Sequence, residues 1–313
     1  MMSLAKKKFE HPTICLDGST RAQVHLKNLD TLWINTGTLC NISCANCYIE
    51  STPTNDRLSY ISFSEFAEAL EQLEQFGHKP KQLGFTGGEP FMNPDIITIL
   101  DYATNNFDDV LVLTNAMRPL MRPRIKSGLL ALRRQAHDKM TLRVSLDDNT
   151  ADLHDHERGA GSFDITCAGI DWLVAHEFRV SIAGRLWGRE EDVVRQAYGV
   201  FFAEKKWPID PLKADQLVLF PEMTPDADPP EITEQCWDIL HKSPESVMCA
   251  TSRMLVKRKN ADKPSLTACT LLPYDDRFDL GPDMSEADQT IALQHPWCAS
   301  FCVLGGASCA PET

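Results

Sequence analysis

Thr31-Leu-Trp-Ile-Asn-Thr36-Gly-Thr-Leu-Cys40-Asn-Ile-Ser-Cys44-Ala-Asn-Cys47-Tyr48 joins an apolar run to three closely spaced cysteines. Thr31–Thr36 reads as a short strand, and the loop after it carries a C-x3-C-x2-C pattern. Three thiolates this close cannot all pair as disulfides, and zinc sites usually want C-x2–4-C pairs with distant partners. Thiolates are also the soft ligands of iron–sulfur clusters. Three of them on a four-iron cube leave one iron free to bind another group. The competing reading of the spacing alone is a zinc knuckle or three unrelated thiols.

Outward from this loop, strand-like and helix-like patterns alternate. Apolar runs at Thr31–Thr36, Gln82–Thr86, Asp109–Thr114, Thr141–Leu146, Arg179–Ala183 and Gln216–Phe220 have the length of buried parallel strands. Between them Ser62-Phe63-Ser64-Glu65 is a capping-box pattern, followed by Phe66, Leu70 and Leu73 on one helical face until Gly77. Pro94–Asn105, Pro123–His137, Phe163–Glu177 and Glu190–Lys205 are further helix-sized segments. The fold class is therefore α/β, with a barrel-like domain whose chemistry belongs on loops at the carboxyl ends of the strands. The expected division is an N-terminal extension over 1–28, a barrel core over 29–225 and a C-terminal extension over 226–313. Thr224–Pro230 marks the last boundary, a short helix candidate follows at Ile232–His241, and the rest reads as irregular and cysteine-rich.

Composition narrows the function classes. A net charge of −13 argues against a nucleic-acid backbone as the main ligand. The run Lys257-Arg258-Lys259 reads as a solvated face or a local anion contact. No apolar run is long enough to span a membrane, and Met1–His11 is not followed by the apolar stretch of a signal peptide. Eleven cysteines without such a signal point to reduced, metal-holding thiols and a cytoplasmic address. Cys15, Cys167 and Cys236 read as packed side chains.

The second strand ends in Thr86-Gly87-Gly88-Glu89-Pro90, where glycines permit close backbone approach and a carboxylate can accept from an ammonium group. Together with the cysteine run, this turn resembles the signature of the radical S-adenosylmethionine (SAM) superfamily. The resemblance sharpens the fold to a partial (β/α)6 TIM-like barrel. It implies a [4Fe-4S] cluster on Cys40, Cys44 and Cys47, with SAM on the free iron through its amino and carboxylate groups. Gly87, Gly88 and Glu89 would then bind the methionine amino group. Ser145, at the end of strand four, and Arg158, in a segment read as a loop, match positions that contact the SAM carboxylate or ribose. Asn115, ending strand three, joins the cofactor-binding set, and Arg185 is a weaker candidate of the same kind. Asn115, Asp147 and Arg185 also suit a polar substrate at the strand ends. His154 and His156 read as a solvated loop. One residue departs from the pattern: the position before the last cysteine is commonly aromatic in the family and is Asn46 here.

In the tail, Cys249, Cys269, Cys298, Cys302 and Cys309 resemble the SPASM and twitch extensions that hold auxiliary iron–sulfur clusters. That resemblance implies a further [4Fe-4S] cluster, with Cys249, Cys269 and Cys309 foremost and Cys302 ahead of Cys298. An all-thiolate zinc site is the other reading. The implied activity is reductive cleavage of SAM to a 5′-deoxyadenosyl radical that takes hydrogen from a small molecule or peptide. An electron donor such as flavodoxin or ferredoxin would supply the electron. The alternative is a noncatalytic metal- or partner-binding protein on the same scaffold. The residues name neither a hydrogen-transfer nor an acid/base group.

Overall fold

Apolar strands need cover on both faces, and this chain provides it by alternating them with helices that bury one stripe. In the computed structural model, which describes residues 7–135, 138–221 and 228–306, the elements begin with β1 (Gln23–Val24), β2 (Thr31–Asn35) and α1 (Phe63–Gln75). They continue with β3 (Gln82–Thr86), α2 (Ile96–Asn106), β4 (Asp109–Thr114), α3 (Pro123–Gln135) and β5 (Met140–Ser145). Next come α4 (Ala151–Arg158), α5 (Ser162–Ala175), β6 (Arg179–Arg185), α6 (Glu191–Lys205) and β7 (Leu217–Phe220). The chain ends with α7 (Cys236–Leu240), β8 (Ser252–Val256), β9 (Ser265–Thr267), β10 (Asp279–Gly281) and β11 (Ile291–Ala292).

Strands β2 to β7 pair side by side in sequence order, all parallel, which is the partial (β/α)6 barrel. The capping box of α1 is formed: Ser62 Oγ accepts from Glu65 N at 3.3 Å, and Glu65 Oε2 accepts from Ser62 N at 2.9 Å. Phe66, Ala69, Leu70 and Leu73 are its buried stripe. Among the described residues no helix is long and apolar enough to cross a membrane.

Two expectations need correction. The tail is not irregular: β8 lies parallel against β2, and β9 and β10 follow antiparallel. The sheet thus has nine strands in the order β10-β9-β8-β2-β3-β4-β5-β6-β7. Buried Arg253 in the middle of β8 hides the strand pattern, and its guanidinium donates to the carbonyls of Cys249, Ser252, Ala287 and Gln289. The segment 154–158 is not a loop either; it is the last part of α4, and Gly159 at φ +100° stops the helix.

The leader packs with the tail. β1 pairs antiparallel with β11, and fully buried Arg21 binds Glu231 at 2.5 Å and the carbonyls of His11, Ile14 and Leu293. The basic run is absorbed by local acids, Lys257 on Glu65, Arg258 on Asp279 and Lys259 on Asp56.

Candidate active site

The glycine turn after β3 docks under the cysteine loop after β2. Gly88 N donates to Gly37 O at 2.7 Å, and Glu89 N donates to Leu39 O at 3.3 Å. A Cβ on Gly88 would lie 2.2 Å from Leu39 O, and Gly87 has φ +132°. Both glycines are therefore required by the approach of one loop to the other, before any ligand is considered. Gly87, Gly88, Asn115, Ser145 and Arg158 line one cavity of about 130 Å³ together with Cys40, Cys44 and Cys47.

Glu89 is oriented differently from the expectation. Its side chain is buried, with carboxylate oxygens accepting from Thr114 Oγ1 at 2.9 and 3.0 Å, Asn115 N at 2.9 Å and Phe91 N at 3.2 Å. It ties β3 to β4 and does not line the cavity. Burial pushes it up to about 7, against the pull of those donors.

Each of the three thiols has a nitrogen donor. Asn115 Nδ2 lies 3.8 Å from Cys40 Sγ, Arg158 Nη1 lies 3.8 Å from Cys44 Sγ, and Ser51 N lies 3.3 Å from Cys47 Sγ. Burial pushes the Cys40 thiol up to about 12 and Cys44 to about 11, although Arg158 lowers the latter. Burial disfavours the bare thiolate at both positions, and the positive charge of a bound metal would offset that cost.

Beside them α4 contributes a charged network. Asp147, at the end of the β5 segment, takes Arg158 Nε at 2.5 Å and Nη2 at 3.2 Å, and Arg185 Nε at 3.3 Å. Burial opposes ionisation of Asp147, but Arg158, followed by Arg185, outweighs it and holds the carboxyl low. Glu157, which the sequence reading missed, accepts Asn46 N and Asn46 Nδ2, both at 2.8 Å, and Arg185 Nη2 at 3.0 Å. Its backbone carbonyl also takes Ala45 N at 2.8 Å. Asn46, where an aromatic was expected, is thus the residue that clips the cysteine loop to α4. His154 is fully buried rather than solvated: its Nδ1 accepts from Asp147 N at 3.2 Å, and burial pushes it down to about 4. A larger cavity of about 410 Å³ opens above this network. Asp147, Arg158, Arg185 and Ser145 line it together with Phe220, Trp297 and Phe301.

The tail cysteines form a second cluster. Cys249, Cys269, Cys298 and Cys302 line one small apolar cavity with Val247, Leu271 and Phe278. Burial pushes Cys249 up to about 11 and raises Cys298 further, with Cys269 and Cys249 adding to it. Cys298, ranked last, stands among the four; Cys309 lies outside the described residues. Cys15 and Cys167 are buried apart from both groups, and Cys236 Sγ accepts from Thr233 N.

The architecture is a parallel partial barrel with three thiols on the loop at the carboxyl end of its first strand. The chain belongs to the radical SAM superfamily, whose model matches residues 34–192. Enzymes of this superfamily bind SAM at a [4Fe-4S] cluster. Over 145 residues the chain is 37% identical to the antilisterial bacteriocin subtilosin biosynthesis protein AlbA of Bacillus subtilis, covering 46% of this chain and 30% of that protein. Over 140 residues it is 31% identical to the mycofactocin maturase MftC of Mycobacterium ulcerans, covering 44% and 35%. The match thus spans about a third of the curated relatives' length. The fold is similar to Streptococcus suis SuiB bound to S-adenosylmethionine, with TM-score 0.55 at 13% identity over 81% of this chain and 63% of that one. It is also similar to anSMEcpe with bound AdoMet and the Kp18Cys peptide, with TM-score 0.57 at 15% identity over 87% and 88%.

Proposed function

We propose that this chain cleaves SAM reductively at a [4Fe-4S] cluster held by Cys40, Cys44 and Cys47 and takes hydrogen from a peptide side chain. The observation that carries the reading is the convergence of these three thiols with Gly87 and Gly88 on one cavity, beside a larger one of about 410 Å³. When bound, the cluster supplies one electron to SAM, and the resulting 5′-deoxyadenosyl radical abstracts hydrogen. The chain's own part is to hold and shield. Asn115, Arg158 and Ser51 donate to the thiols; Gly87, Gly88 and Ser145 form the wall against which SAM would lie. Phe220, Trp297 and Phe301 close the cavity against water and would hold the side chain in place.

A peptide is favoured over a small molecule by the named roles of the relatives, a bacteriocin biosynthesis protein and a maturase. It is also favoured by the precursor peptide in one SuiB structure. Residues 29–225 serve as the catalytic core, with 1–28 and 226–313 as extensions to it, β1 of the first pairing with β11 of the second. Cys249, Cys269, Cys298 and Cys302 hold an auxiliary four-iron cluster, and a flavodoxin- or ferredoxin-type protein donates the electron.

The test is anaerobic reconstitution with iron and sulfide, reduction, and chromatography of the SAM products. The wild type should release 5′-deoxyadenosine, and the triple variant Cys40→Ala, Cys44→Ala, Cys47→Ala should release none. Equal release by both proteins would remove the cluster from these cysteines. No release by an iron-loaded wild type, with or without peptide, would favour a noncatalytic scaffold.

A further inference from the structure

We infer that Arg158 is a positioning residue for the cluster: it donates to the Cys44 thiolate and raises the reduction potential, and it does not hold the SAM carboxylate. The inference rests on the proposed cluster at Cys40, Cys44 and Cys47. Family resemblance would give this arginine to SAM, because a guanidinium fork suits a carboxylate. Here the fork is already used. Nε and Nη2 grip the two oxygens of Asp147, and this leaves Nη1 aimed at Cys44 Sγ, 3.8 Å away.

Asp147 is itself fixed from several sides. Arg185 Nε approaches Oδ1 at 3.3 Å, while the Asp147 backbone carbonyl takes Arg185 N at 3.0 Å and Trp187 Nε1 at 2.9 Å. The neighbouring Glu157 binds the loop through Ala45 and Asn46, so the end of α4 and the cysteine loop share one register. A SAM carboxylate would have to displace Asp147 from a bidentate, nearly buried pair to claim the fork.

The three thiols are therefore not equivalent. Cys40 and Cys47 have neutral donors, Asn115 Nδ2 and Ser51 N, whereas the donor on Cys44 is a cation. A positive charge and an N–H bond on sulfur both favour the form carrying one more electron, and so raise the potential.

The experiment uses the full chain, reconstituted anaerobically, as wild type, Arg158→Gln, Arg158→Lys and Asp147→Asn. Two quantities are read: the midpoint of the SAM-responsive cluster by potentiometric titration followed by electron paramagnetic resonance, and the equilibrium affinity for SAM. The expected result is a more negative midpoint in Arg158→Gln and a smaller shift in the same direction in Arg158→Lys. Asp147→Asn removes the negative charge that opposes the guanidinium and should move the midpoint positive, the reverse of the arginine variants. SAM affinity should change less than about threefold in the arginine variants. An unchanged midpoint with SAM affinity weakened about tenfold or more would return Arg158 to SAM and overturn the inference. Failure of the underlying cluster assignment looks different: the wild type itself would show no SAM-responsive cluster. If Arg158→Gln does not load iron, the Lys variant decides the matter by the same criteria.

Discussion

A carboxylate surrounded by three inward donors behaves differently from one that faces a ligand. Glu89 accepts from Thr114, Asn115 N and Phe91 N, so Glu89→Gln turns an amide NH2 group toward at least one N–H or O–H donor. An unsatisfied buried donor costs about 1–3 kcal/mol. The expected outcome is a loss of unfolding free energy of that order, read from denaturant titration of the metal-free chain. The pH dependence has a definite sign. Glu89 has its folded-state pKa raised to about 7, so its stability contribution is complete below the ordinary value of 4.5 and lost as pH rises through about 7. The Gln variant does not titrate there, so its deficit is largest in acid and shrinks toward about pH 8. A deficit that is absent, or that widens with pH, would contradict this account. Sequence alone could not orient Glu89. A Gly-Gly-Glu-Pro turn is equally compatible with a carboxylate turned to a ligand or to the next strand, and only the hydroxyl of Thr114 on β4 decides it.

At the scale of elements, α4 is the piece that sequence left as a loop and that the site depends on. Its residues, Ala-Asp-Leu-His-Asp-His-Glu-Arg, carry so little apolar periodicity that a solvated segment is the natural reading. Tertiary contacts reverse that reading: His154 and Glu157 are buried, and Arg158 closes the helix beside Cys44. The barrel strands β2 to β7 were legible because strands covered on both faces need unbroken apolar runs, whereas β8 was not. Their boundaries agree to within two residues, and those of β3 and β4 coincide with the expectation. Glu157→Gln tests whether α4 organises the cysteine loop. An amide oxygen can replace only one of the acceptors offered to Asn46 N, Asn46 Nδ2 and Arg185 Nη2, which leaves a donor facing a donor. The reconstituted variant should retain less iron than wild type after gel filtration, and the metal-free chain should be less stable by about 1–3 kcal/mol. Full iron retention with unchanged stability would show that the loop holds its shape without Glu157.

For the whole molecule, the tail joins two tasks: β8 to β10 extend the barrel sheet beyond β2, and the four thiols sit behind the catalytic cavity. Leu271 lines both cavities. Cys298 and Cys302 lie on a π-type turn, Cys298–Leu304, a rare geometry that occurs mostly at functional sites. Phe301, on the same turn, stacks on Phe220 at 6.0 Å in the catalytic cavity wall. Sequence showed the thiols but not their grouping, because two come from the β8 and β9 surroundings and two from the turn. The four thiols enclose only about 20 Å³, so a four-iron cube would have to push the turn outward. Four thiols suffice for such a cube, which gives a specific expectation. Reconstituted wild type should carry about eight irons and the Cys40/Cys44/Cys47 triple alanine variant about four. In that triple background Cys298→Ala should release most of the remaining iron, whereas Cys309→Ala should keep it. Iron and zinc analysis after desalting decides the matter. One equivalent of zinc with no residual iron in the triple variant would replace the auxiliary cluster by a structural zinc site. Iron lost with Cys309→Ala and kept with Cys298→Ala would move the fourth ligand to Cys309. Neither result would touch the first cluster, because its three thiols lie on a separate loop at the far end of β2.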